Sequence, residues 1–224
     1  MHKAGRAACV SAVGVDTGSE TVVFAWEGDE LKGRIFIVMG KSATGKDTIY
    51  ARLLRDHPEI SPVIPYTTRP IREGERDGEE YHFVDEETMR SLEGEGRVIE
   101  SRCYHTVRGD WYYFTVDDDQ LTGEENHIMI TTLEGYEGVR DYFGKDKVIP
   151  IYIEVDDMVR IERALNRERK EKKPCVAEVC RRFLADEQDF SVEKLVSAGI
   201  DHAIVNDDLE KALANIEQMM LQYL

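Results

Sequence analysis

The sequence has few positive charges relative to its negative ones. It contains 29 lysines and arginines against 45 aspartates and glutamates, which gives a formal net charge of −16. This charge opposes binding to the phosphate backbone of nucleic acids and to anionic membrane surfaces. We therefore expect neither kind of partner, although locally clustered arginines can still hold small phosphorylated ligands.

Long apolar runs and regularly spaced cysteines are also missing. No stretch approaches the roughly 18 consecutive apolar residues of a membrane span, and the N-terminus lacks the apolar core of a signal peptide. The four cysteines, at positions 9, 103, 175 and 180, have neither the spacing of a zinc site nor that of a disulfide framework. We therefore expect a cytoplasmic protein with unpaired thiols.

The most informative stretch is the segment GKSATGKDT, which directly follows the apolar run Ile35–Met39. The run predicts a buried strand, and Ile49, Leu53 and Leu54 then fall at helical spacing. In this context a G-x-x-x-x-G-K segment binds phosphate, because backbone N–H groups and a helix N-terminus surround the anion while Lys46 contacts the β- and γ-phosphates. The sequence predicts a nucleoside triphosphate site formed by Gly40, Ser42, Ala43, Thr44, Gly45, Lys46, Asp47 and Thr48. The alternative is an ordinary glycine-rich turn.

Asp47 is unusual for this motif, which normally places Ser or Thr after the lysine so that a hydroxyl reaches Mg²⁺. A carboxylate beside a triphosphate is repelled unless a divalent cation lies between them. Asp47 is therefore either a Mg²⁺ ligand or a helix-N-terminal residue that points away.

A second motif, TTRPIREGERDGEEYHF, spans residues 67–83 and contains two arginines three residues apart among prolines and glycines. Such a loop presents guanidinium groups that bind phosphate. Together with the phosphate loop, the spacing resembles the guanylate kinase family, whose members carry T-T-R-x-x-R-x-G-E-x-D-G-x-x-Y-x-F. The resemblance implies Mg²⁺-dependent phosphoryl transfer from ATP to GMP or dGMP, which yields ADP and GDP or dGDP.

The resemblance also implies an acceptor site. Arg97–Glu100 is interpreted as a strand that ends in a carboxylate, and Glu100 is assigned to the guanine base because a carboxylate accepts from the paired N–H donors of guanine. Pro65 replaces a serine that helps to hold the acceptor in the family, so that contact must be lost or replaced. Two further departures predict a reshaped guanine pocket: Phe114 replaces a glycine, and the segment between Glu100 and Tyr113 is longer than usual. The implied GMP-binding residues are Arg69, Arg72, Tyr81, Glu100, Tyr113 and Thr115, whereas Trp111 and Tyr112 are assigned to the core.

The next predicted strand, His127–Gly135, lacks two acids that the family usually carries there. Ile130 and Thr132 occupy their positions. We hypothesise that Asp47 supplies, directly or through water, the carboxylate that this strand no longer provides at Mg²⁺.

The remaining site residues are carried over from the family's lid and closing motif. Residues 159–169 are predicted to be helical, with Arg163 and Arg167 one turn apart, followed by a lid turn at residues 170–174. Lid arginines neutralise charge on the transferred phosphoryl group. Lys46, Arg167 and Arg182 are the implied catalytic residues, with Arg181 as an alternative because the register is uncertain by one residue; Arg163 and Asn206 join the ATP-binding residues.

The resemblance implies an α/β fold: a P-loop three-layer sandwich with a mainly parallel sheet, a mixed-strand GMP-binding subdomain and a helical lid. The guanylate-kinase-like domain spans residues 34–224, with the acceptor subdomain at about 64–116 and the lid at about 167–182. Residues 1–33 form an N-terminal extension without an assigned function. Two other interpretations stay open: a kinase for another phosphorylated acceptor, and a guanylate-kinase-like binding module with weak or no catalysis.

Overall fold

The structure is a computed structural model that describes residues 33–223 except residues 73, 107–108 and 122–123. The N-terminal extension, residues 1–33, lies outside the described residues apart from Gly33. The strands are β1 (Ile35–Met39), β2 (Ser61–Pro62), β3 (Tyr66–Thr67), β4 (His82–Phe83), β5 (Val98–Thr106), β6 (Gly109–Val116), β7 (His127–Ile130), β8 (Val148–Glu154) and β9 (Ile204–Val205). The helices are α1 (Lys46–Asp56), α2 (Glu86–Gly94), α3 (Leu133–Phe143), α4 (Asp157–Glu168), α5 (Val176–Asp189), α6 (Val192–Ser197) and α7 (Leu209–Met220).

The central sheet has the strand order β2-β7-β1-β8-β9, and all of its pairings are parallel. Strand β1 lies in the middle, where Ile37 pairs with Met129 on one side and Pro150 on the other. All five β1 side chains are buried, as expected for a continuous apolar run in a parallel sheet that is covered on both faces.

Alternate β1 side chains pack into two cores on opposite faces of the sheet. Ile35, Ile37 and Met39 join residues of α3 and the segment around α6, whereas Phe36 and Val38 join the apolar sides of α1 and α7. Helices on both faces of a mainly parallel sheet form the three-layer α/β architecture that the sequence predicted.

A second sheet, with the order β4-β3-β6-β5, forms the predicted mixed-strand unit. Its core contains Met89, Phe114 and Val116. Because neighbouring strand residues point to opposite faces, the completely buried Phe114 lies on the face away from Thr115. The Phe114 side chain thus fills the core of the second sheet and does not line the face that carries Thr115; its effect on the guanine pocket stays a prediction.

Two element boundaries differ from the predictions. Strand β5 does not end at Glu100 but continues to Thr106, because it pairs with β6 along its whole length. The predicted strand 127–135 ends at Ile130, and Thr132 caps helix α3 by accepting a hydrogen bond from the Gly135 N–H at 3.2 Å. Within the described residues, none of the helices combines the length and apolar character needed to cross a membrane.

Candidate active site

The phosphate loop is held against the carboxyl ends of β8 and β9. The side-chain amide of Asn206 donates to the Thr44 carbonyl at 2.8 Å, and a Cβ at Gly45 would lie 2.5 Å from that amide nitrogen. Gly45 also has a φ of 88°, which side-chain-bearing residues rarely adopt. A Cβ at Gly40 would lie 2.4 Å from the Ile153 carbonyl oxygen. The two glycines of the motif are therefore required by close approaches and, at Gly45, by backbone conformation.

The remaining loop residues lead into α1. The buried Thr44 hydroxyl donates to the Lys41 carbonyl at 2.9 Å, and Ala43 has a φ of 65°. Lys46 begins α1, and Asp47 lies exposed in its first turn. Within the described part of the chain, the Asp47 carboxylate has no hydrogen bond or ion pair. A free carboxylate at a helix N-terminus next to a phosphate loop is available to a cation.

A set of charged residues connects this loop to the helices that follow β8, and the sequence analysis missed it. The Ser42 N–H donates to Asp186 at 2.8 Å, and Lys41 pairs with Glu187 at 2.8 Å. Arg160, whose side chain is only 1% exposed, pairs with both Asp186 and Glu187. We call Lys41, Asp157, Arg160, Asp186 and Glu187 the Arg160 network.

The acceptor loop places Arg69 in an anion-binding environment. Its guanidinium is buried, forms two hydrogen bonds of 2.6 and 2.7 Å with Glu75, and lies over the rings of Tyr81 and Phe83 at 5.1 and 5.2 Å. The hydrogen bond from Arg69 lowers the pKa of Glu75 to about 2. The Arg69 Nε is buried and has no partner within the described residues. It is a donor with capacity for an anionic ligand.

The predicted tyrosines lie around the same arginine. The ring centroids of Tyr81 and Tyr113 are 5.5 Å apart. The hydrogen bond with Glu75 raises the pKa of Arg69, and the nearby Tyr113 contributes to the same shift. The structure therefore brings Arg69, Tyr81 and Tyr113 together, as the motif predicted.

Glu100 has a partner that the sequence analysis did not identify. Arg102 donates to both of its carboxylate oxygens, at 2.9 and 3.2 Å, and the Thr115 hydroxyl donates to the second of these at 2.7 Å. Both the Glu100 and Arg102 side chains are less than one-tenth exposed. Arg102 also donates to Thr132 at 3.1 Å. The residue assigned to the guanine base is thus part of a buried ion pair.

Helix α3 covers this pair closely. A Cβ at Gly138 would lie 2.5 Å from the Glu100 Cβ, and a Cβ at Gly135 would lie 3.3 Å from the Arg102 Cζ. The ion pair therefore lies between β5 and α3, where the mixed sheet meets the central domain.

One cavity of about 370 Å³ collects residues from the phosphate loop, the acceptor loop and the lid. Its lining includes Ser42, Arg72, Arg167 and Arg182. Arg181 does not contribute to this lining; its side chain is 65% exposed and pairs with Glu178 at 2.8 Å. Of the two alternative lid arginines, the geometry therefore favours Arg182.

The two residues assigned to ATP through the lid and closing motif contact each other. Arg163 donates to the backbone carbonyl of Asn206 at 3.2 Å, while the Asn206 amide nitrogen is bound to the phosphate loop. Both residues therefore lie beside the loop, and Asn206 has a structural task there that the motif did not indicate.

Comparisons with known proteins find matches to a single family. The sequence model of the family described as guanylate kinase matches residues 32–223. A guanylate kinase from Parasynechococcus marenigrum is 30% identical over 193 residues, covering 84% of this chain and 98% of the relative. A guanylate kinase from Neisseria meningitidis serogroup A is 30% identical over 191 residues, covering 84% and 87%.

A solved structure supports the fold independently. The crystal structure of guanylate kinase from Anaplasma phagocytophilum superimposes with a TM-score of 0.58 at 22% identity, covering 87% of this chain and 88% of that one. The match therefore extends over nearly all of both chains, as do the sequence matches. The chain belongs to the guanylate kinase family.

Proposed function

We propose that this protein transfers the γ-phosphoryl group of ATP to GMP or dGMP, giving ADP and GDP or dGDP. The observation that carries the proposal is a cavity whose lining includes Ser42 of the phosphate loop, Arg72 of the acceptor loop, and the lid residues Arg167 and Arg182. Donor-binding, acceptor-binding and charge-stabilising groups meet there, as in-line phosphoryl transfer requires.

Catalysis in this proposal comes from positioning and charge stabilisation. Lys46 binds the donor phosphates, while Arg167 and Arg182 neutralise the charge that spreads over the transferred group. Arg69, with its unpartnered Nε, and the two tyrosines beside it hold the acceptor phosphate. Closure of the lid over the cavity excludes water that would otherwise hydrolyse ATP.

The residues at the start of α1 fit a magnesium ion. Asp47 and Thr48 are exposed there and offer carboxylate and hydroxyl oxygens, the ligand types that Mg²⁺ prefers. Bound Mg²⁺ would neutralise charge on the β- and γ-phosphates. Ile130 and the helix cap Thr132 offer no carboxylate, which supports the hypothesis that Asp47 provides it.

The ion pair of Glu100 favours a second candidate function, a kinase for another phosphorylated acceptor. A carboxylate has about four acceptor positions, and Arg102 and Thr115 already use three of those on Glu100. Guanine presents two N–H donors on one edge, so GMP would have to displace Arg102 from Glu100. An acceptor with a second anionic group would instead bind Arg102 directly.

The experiment is a coupled assay of ADP release with ATP and Mg²⁺ against GMP, dGMP, AMP, CMP and UMP. We expect turnover with GMP or dGMP only, a loss of at least about 100-fold in Lys46→Ala, and weaker Mg²⁺-dependent turnover in Asp47→Ser. Glu100→Gln, which keeps the side-chain size, should raise the KM for GMP more than it lowers kcat.

Other outcomes have distinct meanings. If no nucleotide supports ADP release while ATP still binds, the result would contradict GMP as the acceptor. It would favour another phosphorylated acceptor or a binding module. Unchanged activity and Mg²⁺ dependence in Asp47→Ser would refute the role of Asp47 alone. The cytoplasmic location predicted from the sequence stays a prediction.

A further inference from the structure

The outer part of the β5–β6 hairpin carries three potential metal ligands on one face. Cys103 and His105 are two residues apart on β5, so their side chains point to the same face of the strand. His105 is paired across the strands with Asp110, and Cys103 is paired with Tyr112. The antiparallel register therefore places a thiol, an imidazole and a carboxylate side by side.

The distances fit a shared ion. One ligand atom from each of Cys103, His105 and Asp110 lies within 4.8 Å of the other two, and the His105 Nδ1 is 2.8 Å from the Asp110 Oδ1. Two ligand atoms of one tetrahedral zinc ion, with bonds of about 2.0–2.3 Å, lie roughly 3.3–3.8 Å apart. Side-chain rotations that separate the imidazole slightly from the carboxylate and hold the sulfur at this spacing would complete the set. All three residues are exposed, and an ion can reach them from solvent.

We propose that this face of the hairpin is a zinc site with Cys103, His105 and Asp110 as ligands. A sulfur, a nitrogen and an oxygen donor together match the borderline character of Zn²⁺, whereas Mg²⁺ and Ca²⁺ prefer oxygen ligands alone. Three protein ligands leave the fourth tetrahedral position to water.

The sequence analysis missed this site because it considered only the spacing of the cysteines along the chain. Among the cysteines of the described residues only Cys103 takes part, and Asp110 comes from the opposite strand. The site lies in the segment between Glu100 and Tyr113. An ion bound to both strands would fix their register, and on the opposite face Tyr104 contacts Tyr113 with ring centroids 5.4 Å apart.

The test measures metal binding by the full-length, reduced protein and does not depend on its enzymatic activity. Zn²⁺ affinity is obtained by competition with a chromophoric chelator, and Co²⁺ serves as a spectroscopic substitute. We expect one tight site per chain and a Co²⁺ spectrum with a thiolate charge-transfer band. Cys103→Ser and His105→Ala should each weaken Zn²⁺ binding by about 10- to 100-fold. Asp110→Asn should weaken it less.

Two cysteine variants are the matched controls. Cys180 is an exposed thiol on α5, and Cys9 lies outside the described residues. Cys180→Ser and Cys9→Ser should keep wild-type affinity and the charge-transfer band. The proposal is overturned if the wild-type chain binds no Zn²⁺ tightly, if Cys103→Ser binds as the wild type does, or if a control variant loses as much affinity. Far-UV circular dichroism of each variant separates loss of a ligand from loss of fold.

Discussion

At the residue scale, the pair of Arg69 and Glu75 combines a structural and a binding role. Arg69 is held between two aromatic rings and a carboxylate. Its guanidinium is therefore oriented before any acceptor arrives, which reduces the entropy lost on binding. The neighbouring Glu75 carboxylate also balances the positive charge of the buried Arg69 guanidinium.

This pair predicts how stability depends on pH. The pKa of Glu75 is about 2 in the folded protein, below its usual value of 4.5. The contribution of ionised Glu75 to the free energy of unfolding is therefore fully present above pH 4.5, and it is lost as the pH falls from there toward 2. Glu75→Gln should lower the free energy of unfolding at pH 7 by roughly 1–3 kcal/mol, since it weakens the pairing of a buried charge. It should also flatten the decline of stability in acid.

Urea unfolding at pH 7, 5 and 3.5 measures both effects. Glu79→Gln, in an exposed ion pair with Arg76 of the same loop, is the control and should change stability by less than about 1 kcal/mol. Parallel acid profiles for wild type and Glu75→Gln would contradict the prediction.

Local motifs identified the residues that lie near one another in the sequence, and they failed where the partner is distant. Arg69 and Tyr81 belong to one motif, and the structure brings them together. Arg160 pairs with Asp186, which lies 26 residues further along the chain, and Arg102 donates a hydrogen bond to Thr132, which lies 30 residues further along. No residue type or spacing indicates such pairs, because chain folding alone determines them.

At the element scale, strand β6 separates the site from the core of the second sheet. Tyr113 faces the acceptor side, where it contacts Tyr81, whereas Phe114 packs with Met89 and Val116. The aromatic residue that replaces the family's glycine thus enlarges a small core.

Removing this ring should destabilise the second sheet. We expect Phe114→Ala to cost about 3–5 kcal/mol, the usual range for a buried Phe→Ala change, and Phe114→Gly to cost more because glycine weakens a strand. Urea unfolding gives the magnitude, and hydrogen exchange shows whether residues 66–116 open first. The control is Tyr104→Ala on the neighbouring strand β5, where the Tyr104 residue is 46% exposed. This change should lower the free energy of unfolding clearly less. An equal loss would contradict the assignment of Phe114 to the core.

Element predictions succeeded where short-range signals act. The apolar run before the glycine loop is β1, as predicted. Asp85 and Asp208 cap α2 and α7, a position that aspartate favours. The extension of β5 beyond Glu100 depends on pairing with β6, and the end of β7 depends on a helix cap within a β-branched segment. Tertiary pairing therefore decided the boundaries that local pattern left uncertain.

At the scale of the whole molecule, the Arg160 network joins the phosphate loop to the helices that carry the lid arginines. Arg160 lies on α4, and Asp186 and Glu187 lie on α5. The guanidinium also lies 4.0 Å from the centre of the Phe183 ring. The phosphate loop and the base of the lid are thus held by one buried cation.

Removing that cation should affect stability and nucleotide binding together. Arg160→Met keeps much of the side-chain length but leaves Asp186 and Glu187 without their buried partner, so we expect a loss of roughly 3 kcal/mol. ATP affinity should fall as well, because Ser42 and Lys41 are oriented by those carboxylates. Arg169→Met, an exposed change at the end of the same helix, is the control, and thermal unfolding with ATP titration provides both measurements. Wild-type stability and affinity in Arg160→Met would refute the coupling.

The hydrogen bond between Asn206 and Thr44 has a consequence for biosynthesis. It joins residues that are 162 positions apart. The central strand β1 likewise forms its sheet pairings only after β7 and β8 have been synthesised. During translation the phosphate loop therefore emerges early but gains its supporting contact only when nearly all of the described chain has left the ribosome. A nascent chain should thus acquire nucleotide affinity as one of its last properties.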